Sequence, residues 1–551
     1  MLKKLFKISI GVIGTLLVLI VALMFYVRAV STIDPPHAAV GSLVDDVSQP
    51  DSGLFVLGNN WFRKSESGLY ELYVEGKPFE RGWANGKLTQ RLVQYQEKVF
   101  NDQIHQLVPS DFYLNVLTYF VGWFNRDMDE HVPEEYKLEI YGVSHSASHE
   151  FDDIAPPYQR ILNYHGAHDI GHALQNMSLV GCTSFATWED QSEDGSLIVG
   201  RNFDFYVGDG FAENKIVAFY NPDQGHKFMM LTFGGMTGVL SGMNDQGLTV
   251  TINAAKSEIP SAAATPVSLV AREILQYAAT IDEAYAIAQK RKMFVAESFL
   301  IGSARDGRAA IIEKTPEDID LFKTTEHYIV CTNHFQGEKL GNTELNREHV
   351  ETSASTYRYA RVQELLLAQG KNSVQKSSAI LRNQAGLKDQ PIGLGNEKAI
   401  NQLIAHHGII FQPEKKLVWI STAPWQLGKF VCYDLNRVFD FKAERNQEVY
   451  CDSLAIEADP FVNTGQYKNM LKFNAYRFPF QPRNAANPDS LIRWNPESYL
   501  AYMLGGDIYL EKKAYAKAKA MYEIGLTKEV ATAQEREHMK KNLQRCQSET
   551  E

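Results

Sequence analysis

A cysteine that directly follows a glycine is the first candidate for chemistry in this sequence. Cys182 lies in the stretch SLVGCTSFAT, after Gly181 and at the start of an alternating apolar strand. A buried core cysteine is one interpretation, because free cysteine is among the most buried residue types. The other interpretation is a nucleophile, because a thiolate attacks carbonyl carbons and is favoured by a nearby cation.

The residues that follow Cys182 favour the nucleophile. The segment GRNFDF places Arg201 and Asp204 on the next predicted strand, which a short turn brings back beside Cys182. A guanidinium stabilises a thiolate, and a carboxylate can hold a protonated amine. Asn253 in TINAAK and Asn333 in CTNHF stand at strand ends, where amide N–H donors would face a developing oxyanion. Together these residues predict an acyl-transfer site.

The motifs also occur in a recognisable order. The series GCTSFAT, GRNFDF, GMNDQGLTVTINA, CTNHF and STYRYAR resembles the N-terminal nucleophile hydrolases that use cysteine. Its close likeness is to the acyl-coenzyme A:6-aminopenicillanic acid acyltransferase-like autoproteolytic enzymes, and a more distant one is to choloylglycine hydrolases and acid ceramidases. Upstream, YELYVEGKPFERGWANGKL and VPEEYKLEIYGV resemble the pro-segment of the acyltransferase branch.

The resemblance implies an α+β fold, a four-layer αββα sandwich that matures by cutting its own Gly181–Cys182 bond. Cys182 would be the nucleophile, and its released α-amino group, with a usual pKa of about 7.7–8.0, would be the general base. Asp204 would hold this amine and Arg201 would lie against the thiolate. The other implied site residues, for the oxyanion hole, the orientation of the amine and a structural or catalytic arginine, are Asn253, Asn333 and Arg358, with Arg361 as the alternative arginine.

No metal or organic cofactor is implied, since the nucleophile and the base are both protein groups. The segment YHGAHDIGH leaves a metal site open, because His168 and His172 are four residues apart and would share a helix face. A structural cluster with His165 and Asp169 is the favoured interpretation. The same structural interpretation is given to His406, His407, Cys331, Cys432 and Cys451.

The N-terminus carries the clearest compositional signal. Lysines at positions 3, 4 and 7 precede twenty residues without a charge, 8–27, which are long enough to span a bilayer core of about 30 Å. A cleaved signal peptide is the alternative, but its apolar region is usually about 7–15 residues long. We therefore expect an uncleaved single-pass membrane anchor, with the catalytic part on the extracytoplasmic side, periplasmic or extracellular.

Composition limits the classes of partner. The chain has 66 acidic and 55 basic residues, a net charge of −11, which argues against nucleic-acid binding. A hydrophobic fraction of 44% is that of a folded protein. The five cysteines are widely spread, without the spacing of a zinc site or the density of a disulfide scaffold.

The 551 residues divide into five predicted segments. Within the upstream part, GLYELYVEGKPFERG alternates like a hairpin, and after Cys182 short strand-like runs alternate with helical ones. The tail contains two amphipathic helices that resemble a tetratricopeptide-type pair and should dock on the main domain. The predicted boundaries are 1–28 for the cytoplasmic tip and transmembrane anchor, 29–53 for a stalk, 54–181 for the pro-segment, 182–480 for the catalytic domain and 490–551 for the helical tail.

The leading hypothesis is a membrane-anchored, self-processing amidohydrolase or acyltransferase that forms a thioester at Cys182. Its substrate would be a small N-acyl amide or lipid-like molecule, and the cleaved chains are expected to stay associated. Two alternatives remain, an ester or phospholipid deacylase using the same site and a non-catalytic scaffold that works through the helical tail. Aromatic residues that could line an acyl pocket, although strand aromatics more often belong to a core, are Trp188, Phe203, Phe205 and Tyr206.

Overall fold

Strands in two sheets form the centre of the structure, a computed structural model that describes residues 2–38, 43–51, 53–108, 110–174, 181–258, 262–441, 447–477 and 486–549. The strands are β1 (Ser48–Asp51), β2 (Leu54–Leu57), β3 (Asn60–Lys64), β4 (Tyr70–Gly76), β5 (Thr183–Thr187), β6 (Ile198–Phe203), β7 (Ile216–Pro222), β8 (Phe228–Thr232), β9 (Ser241–Asn244), β10 (Leu248–Ala254), β11 (Glu297–Ser303), β12 (Arg308–Lys314), β13 (Ile319–Phe322), β14 (Tyr328–Cys331), β15 (His407–Gln412), β16 (Leu417–Ser421), β17 (Phe430–Asp434) and β18 (Cys451–Ile456).

Helices precede, separate and follow these strands. They are α1 (Leu2–Val30), α2 (Pro78–Leu107), α3 (Asp111–Asn125), α4 (Met128–His131), α5 (Glu134–Ser144), α6 (Pro157–Leu174), α7 (Val267–Tyr277), α8 (Ile281–Lys290), α9 (Glu344–Thr352), α10 (Ser355–Gln369), α11 (Val374–Leu381), α12 (Leu435–Val438), α13 (Gly465–Arg477), α14 (Pro488–Trp494), α15 (Tyr499–Glu511), α16 (Tyr515–Thr527) and α17 (Ala533–Ser548). The predicted combination of helices and sheets is confirmed.

The larger sheet joins the two parts of the chain that flank Cys182. Its eleven strands follow the order β1-β2-β3-β4-β7-β8-β9-β10-β11-β12-β13, and the smaller sheet has seven, β14-β5-β6-β15-β16-β17-β18. β4 and β7 pair in parallel over seven residues, from Tyr70 opposite Ile216 to Gly76 opposite Pro222. Four strands from upstream of Cys182 therefore continue a sheet whose other strands lie downstream.

Alternate side chains of the inner strands point to opposite faces. In β6, Val199 enters the core between the two sheets, whereas Ile198 packs on the outer side of the smaller sheet with residues of α10 and α11. Arg201 lies two residues after Val199 and points the same way. Its guanidinium therefore enters the space between the sheets, where it reaches the carbonyl oxygens of Leu240 and Ile252 on the larger sheet.

Helices cover both outer faces of the sheet pair. A single apolar cluster joins the larger sheet to α2, α5, α6, α7 and α8. The corresponding cluster on the smaller sheet takes side chains from α10 and α11. The layers therefore follow one another as helix, sheet, sheet and helix, with Cys182 buried in the cluster of the larger sheet.

The segment predicted as an early hairpin is instead a strand followed by a helix. β4 ends at Gly76 and α2 begins at Pro78, whose fixed φ suits the first position of a helix. The carboxylate of Glu80 accepts a hydrogen bond from the backbone N–H of Lys77 at 3.2 Å, as in a capping box. These capping groups start a helix although the apolar alternation continues in the sequence.

Three helices, rather than the predicted pair, form the end of the described chain. α15 and α16 pack together, and α17 adds Met539 and Cys546 to the same apolar cluster. α17 was missed because these two are its buried residues and the rest of it is strongly polar. The expected docking is present, since Leu504 packs with Leu403 and Leu427 of the main body. The likeness to a tetratricopeptide pair stays a prediction.

The N-terminal helix α1 is the one helix of the described residues that is long and apolar enough to cross a membrane. Its apolar stretch, Ser9–Val30, has a mean hydropathy of 2.7 and no buried part. This is a finding of length and composition, and a signal sequence near an N-terminus meets the same test. The end of α1 contacts α3, where the rings of Tyr26 and Trp123 lie 6.4 Å apart.

A buried ion cluster fastens the upstream helices to the part that follows Cys182. The carboxylate of Glu139 in α5 lies 3.0 Å from Nη2 of Arg81 in α2 and 3.1 Å from Nη2 of Arg272 in α7. All three side chains are at most 1% exposed. Burial alone would raise the pKa of Glu139, but Arg272 and Arg81 hold it below the usual value. The ionised carboxylate of Glu139 therefore forms buried ion pairs with both Arg81 and Arg272.

We expect Glu139→Ala to lower the free energy of unfolding of the full chain by about 3–5 kcal/mol, because it leaves the buried guanidinium of Arg272 without its carboxylate and removes one of the three carboxylates that contact Arg81. The measurement is denaturant unfolding followed by circular dichroism. The control is Glu134→Ala, which removes a solvent-exposed partner of Lys137 and should change stability by less than about 0.5 kcal/mol. Equal losses in the two variants would contradict the importance of the cluster.

Candidate active site

The thiol of Cys182 lies at the beginning of β5, beside the arginine predicted to face it. β5 and β6 form an antiparallel pair in which Ser184 stands opposite Arg201. Nη2 of Arg201 is 3.7 Å from Sγ of Cys182. Burial raises the pKa of the Cys182 thiol to about 11, and the positive charge of Arg201 opposes this rise. In the continuous chain the thiol is therefore protonated at neutral pH.

Asp204 ends the same hairpin and supplies a buried carboxylate. Its backbone oxygen accepts the Gly181 N–H at 3.0 Å and lies 3.9 Å from Sγ of Cys182. Neither carboxylate oxygen has a hydrogen-bond partner among the described residues. Burial raises the pKa of Asp204 to about 7, against the attraction of Arg358 and Arg201. A carboxylate placed in this way can accept hydrogen bonds from an ammonium group, which no described residue of the continuous chain provides.

Two donors hold the carbonyl oxygen of Gly181, the residue before the nucleophile. Nη1 of Arg358 lies 2.9 Å from this oxygen and Nε2 of Gln402 lies 2.7 Å from it. A Cβ at position 181 would overlap the amide group of Gln402, so a side chain there would displace this donor. Both donors point where negative charge would develop if the Gly181 carbonyl were attacked.

The two predicted asparagines lie next to the site but bond to other groups in the continuous chain. Asn253 accepts from Ser184 Oγ at 2.7 Å and donates to the Cys331 carbonyl oxygen at 3.1 Å. Asn333 accepts from Nη2 of Arg358 at 2.8 Å, so it orients that guanidinium. Their assignment to the oxyanion hole stays a prediction, since Arg358 and Gln402 occupy that place at Gly181.

Other predicted candidates divide clearly between the site and its surroundings. Arg361 points away, towards Glu364 and Asp389, so the arginine at the site is Arg358. Among the aromatic residues, Phe203 lies under Arg201, with its ring centre 4.4 Å from the guanidinium carbon. Trp188 is at the opposite end of β5, next to His327.

Two members of the proposed histidine cluster have contacts in the structure. Asp169 accepts a hydrogen bond from the Val267 N–H at 2.9 Å. Thr237 N–H donates to Nε2 of His165 at 3.0 Å, so the proton is on Nδ1, which donates to the Ile161 carbonyl oxygen at 2.8 Å. The side chains of His168 and His172 lie outside the described residues. In the part of the chain that is described, no group of three or more histidine, cysteine or acidic side chains could hold a metal ion.

Three site residues were missed by sequence reasoning. Gln402, Ser241 and His407 are all fully or almost fully buried near Cys182 or Arg201. His407 was interpreted as structural, and the other two were not singled out. None of them stands in a motif or at an informative distance from Cys182 in the sequence, so no local signal was available.

One family model matches the part of the chain that follows Cys182. Residues 190–421 match the model of the acyl-coenzyme A:6-aminopenicillanic acid acyl-transferase family. This match confirms the resemblance to that family that the motifs carry. Cys182 lies just before the matched segment.

Individual relatives are distant. An uncharacterized protein of Archaeoglobus fulgidus is 24% identical over 264 residues, 45% of this chain and 44% of that protein. The N-acylethanolamine-hydrolyzing acid amidase of Caenorhabditis elegans is 23% identical over 240 residues, 40% of this chain and 64% of that protein. The chain thus spans about half the length of the curated relatives it matches.

Two solved structures are similar over less than half of the chain. The Caenorhabditis elegans N-acylethanolamine-hydrolyzing acid amidase ortholog has a TM-score of 0.31 at 17% identity and covers 42% of this chain and 93% of its own. A mutant of the conjugated bile acid hydrolase from Clostridium perfringens has a TM-score of 0.29 at 15% identity, and the similarity covers 46% of this chain and 93% of that chain.

We expect Asp204→Asn, made in an uncleavable Cys182→Ala chain, to raise the melting temperature at pH 8 and to have little effect near pH 4. The folded-state pKa of about 7 lies above the usual 3.8, so the folded chain loses stability as pH rises between these values and does not regain it above them. A buried amide is less costly than a buried unpartnered carboxylate.

Thermal unfolding from pH 4 to pH 8 measures this difference. The exposed Asp153→Asn, in the same Cys182→Ala chain, is the control and should show no pH-dependent gain. A gain of equal size at pH 4 and pH 8 would contradict the burial of a charged Asp204.

Proposed function

We propose that this chain is a cysteine N-terminal nucleophile amidohydrolase or acyltransferase that cuts its own Gly181–Cys182 bond and then acts on N-acyl amides through a thioester. The observation that carries the proposal is the buried carboxylate of Asp204, whose oxygens have no hydrogen-bond partner among the described residues and whose backbone oxygen lies 3.9 Å from Sγ of Cys182. A cut before Cys182 creates an ammonium group at this place, which gives the buried carboxylate a counter-charge. The family relationship supports the same chemistry.

In the proposed maturation, the Cys182 thiol loses its proton and its sulfur attacks the carbonyl carbon of Gly181. The charge that develops on the Gly181 oxygen is stabilised by Arg358 and Gln402, which already hold this oxygen. The C–N bond then breaks, and the nitrogen takes a proton to become the α-amino group of Cys182. Water hydrolyses the thioester and leaves a carboxylate on Gly181.

In the proposed turnover, the new amine accepts the thiol proton, and the thiolate, stabilised by Arg201, attacks the acyl carbon of the substrate. The amide C–N bond breaks and the leaving amine takes the proton. Water or an acceptor amine then releases the acyl group from sulfur. Asp204 holds the α-ammonium in this scheme, and Asn253 and Asn333 are the proposed orienting or oxyanion residues.

We propose that the upstream segment, 54–181, remains bound after the cut. β4 pairs with β7 along seven residues, so separation would expose a sheet edge in the middle of the larger sheet. It would also leave Arg272 without the carboxylate of Glu139. These contacts support a two-chain mature protein. The catalytic part, 182–480, would then stay at the membrane through its contacts with the anchored upstream chain.

The location and substrate belong to the same proposal. The length and apolar composition of Ser9–Val30 support a single-pass anchor followed by a stalk at 29–53, with the catalytic part on the extracytoplasmic side. A tethered hydrolase suits an N-acyl amide with an apolar, lipid-like acyl part. One relative, the acid amidase of Caenorhabditis elegans, is named for hydrolysing N-acylethanolamines, which supports this substrate class.

Intact mass and N-terminal sequencing test the self-cleavage. We expect the wild-type protein to give two chains, one beginning Cys-Thr-Ser, and Cys182→Ala to remain one chain. Cys432→Ala, which removes another buried thiol, is the control and should be cut. A wild-type chain that stays whole and releases no amine from a panel of N-acyl amides would contradict the proposal and favour the scaffold alternative.

We further expect Gln402→Ala to slow the cut by roughly 10²–10³-fold, because it removes one of two donors to the developing oxyanion. The measurement is the time course of chain separation on denaturing gels after synthesis in a cell-free system. Gln426→Ala is the matched control, since its buried amide donates to a different carbonyl oxygen, that of Leu381. If both variants mature at the wild-type rate, Gln402 has no part in the reaction.

A further inference from the structure

The guanidinium of Arg201 is held by a chain of neutral groups. It is fully buried, and the two carboxyl groups whose charges act on it, those of Glu297 and Asp204, make no hydrogen bond to it. Nη2 donates to the Ile252 carbonyl oxygen at 2.5 Å and faces the Cys182 sulfur at 3.7 Å. Nη1 donates to the Leu240 carbonyl oxygen at 3.1 Å and to the hydroxyl of Ser241. The hydroxyl of Ser241 is thus the side-chain acceptor that fixes Nη1.

The hydrogen bonds beyond Ser241 determine which imidazole nitrogen carries a proton. Ser241 Oγ lies 2.9 Å from Nε2 of His407, and Arg201 Nη1 lies 3.5 Å from the same nitrogen. Because the serine hydroxyl accepts from Arg201, its own proton points to His407, so Nε2 of His407 is an acceptor without a proton. Nδ1 of His407 then carries the proton and donates to Nδ1 of His406 at 2.9 Å.

Burial keeps both imidazoles in this neutral state. His406 and His407 are fully buried, and burial, together with the neighbouring charges of Arg201 and Lys215, lowers the pKa of each well below its usual value. A neutral acceptor has a particular advantage here. A carboxylate in the place of His407 would bind Arg201 but would also cancel the positive field that acts on the Cys182 sulfur.

We propose that His407 is a positioning residue of the reaction, which, through Ser241, fixes Arg201 against the Cys182 thiol without neutralising its charge. The proposal rests on the proposed function, since it gives Cys182 the role of nucleophile. His406 completes the arrangement by accepting the Nδ1 proton of His407, which holds the ring in the orientation that Ser241 requires. Neither histidine touches the reacting atoms.

The pH dependence of alkylation at Cys182 tests this role. Iodoacetamide labelling of Cys182 is followed by peptide mass spectrometry from pH 6 to pH 11, for the wild type and for Ser241→Ala, His407→Phe and His407→Gln. Gln places an oxygen near the position of Nε2 and can accept the serine proton, whereas Phe cannot. Ser303→Ala is the matched control, because Ser303 is equally buried in β11 and bonds to Ala279 and Asp306 instead.

We expect Ser241→Ala and His407→Phe to slow the labelling of Cys182 by about tenfold at every pH below the midpoint, which is the effect of raising the pKa of its thiol by about one unit. His407→Gln should recover most of the wild-type rate, and Ser303→Ala should match the wild type. Profiles of Ser241→Ala and His407→Phe that coincide with that of Ser303→Ala would overturn the proposal. A His407→Gln shift as large as that of His407→Phe would also overturn it, since the acceptor would then be irrelevant.

Labelling reports on the thiol itself, so it is measured on the cut or the uncut chain. If the wild type stays uncut and Ser241→Ala and His407→Phe still show the expected changes relative to it, the proposed function fails and the positioning role does not. Thermal unfolding of each variant shows whether Ser241→Ala and Ser303→Ala lose similar stability. A shift in labelling at equal stability assigns the effect to Arg201 rather than to folding.

Discussion

The positive charge of Arg201, enclosed between two sheets, is the constraint on which the rest of the site depends. An isolated charge in a protein interior is costly unless hydrogen bonds replace those of water. Carbonyl oxygens from the larger sheet and the Ser241 hydroxyl provide these bonds, and Arg201 itself belongs to the smaller sheet. The charge can therefore act on Cys182 when both sheets are packed together, and an isolated hairpin could not reproduce its environment.

Burial has the same effect on the two titratable side chains around the Gly181–Cys182 peptide. It raises the pKa of the Cys182 thiol and of the Asp204 carboxyl, so the continuous chain has a protonated nucleophile and a buried carboxyl group without a hydrogen-bond partner among the described residues. In the proposed reaction, one peptide cut changes both conditions by placing an amine beside them. In this proposal, the charge balance of the site changes through the loss of a covalent bond.

The larger sheet couples this local chemistry to the organisation of the whole chain. Its parallel β4–β7 pair and the Arg81–Glu139–Arg272 cluster join upstream and downstream parts through interactions that solvent does not reach. Such contacts make the upstream segment a structural part of the sheet. A cut at one peptide bond does not by itself remove any of them, because all lie away from the Gly181–Cys182 bond.

The sequence by itself showed a resemblance to the family whose model matches residues 190–421, and it predicted the mixed helix and sheet fold and the candidates Cys182, Arg201 and Asp204. These three could be predicted because a short antiparallel hairpin brings them together through local backbone hydrogen bonds, whose register follows from strand alternation and turn length. The apolar alternation predicted a hairpin where Pro78 begins a helix, because the capping groups at Lys77 and Glu80 determine the local structure there. The helix α17 was not predicted, because its polar sequence has little apolar spacing.

The tertiary structure alone decided that Gln402 and Arg358 hold the Gly181 oxygen, and that Ser241 and His407 hold Arg201. Gln402 is 221 positions from Gly181 along the chain, and His407 is 166 from Ser241. Spacing patterns in the sequence do not predict contacts between residues that are so far apart along the chain. The contacts arise when two sheets pack face to face and bring the ends of different strands to one point, which depends on the shape and volume of the whole core.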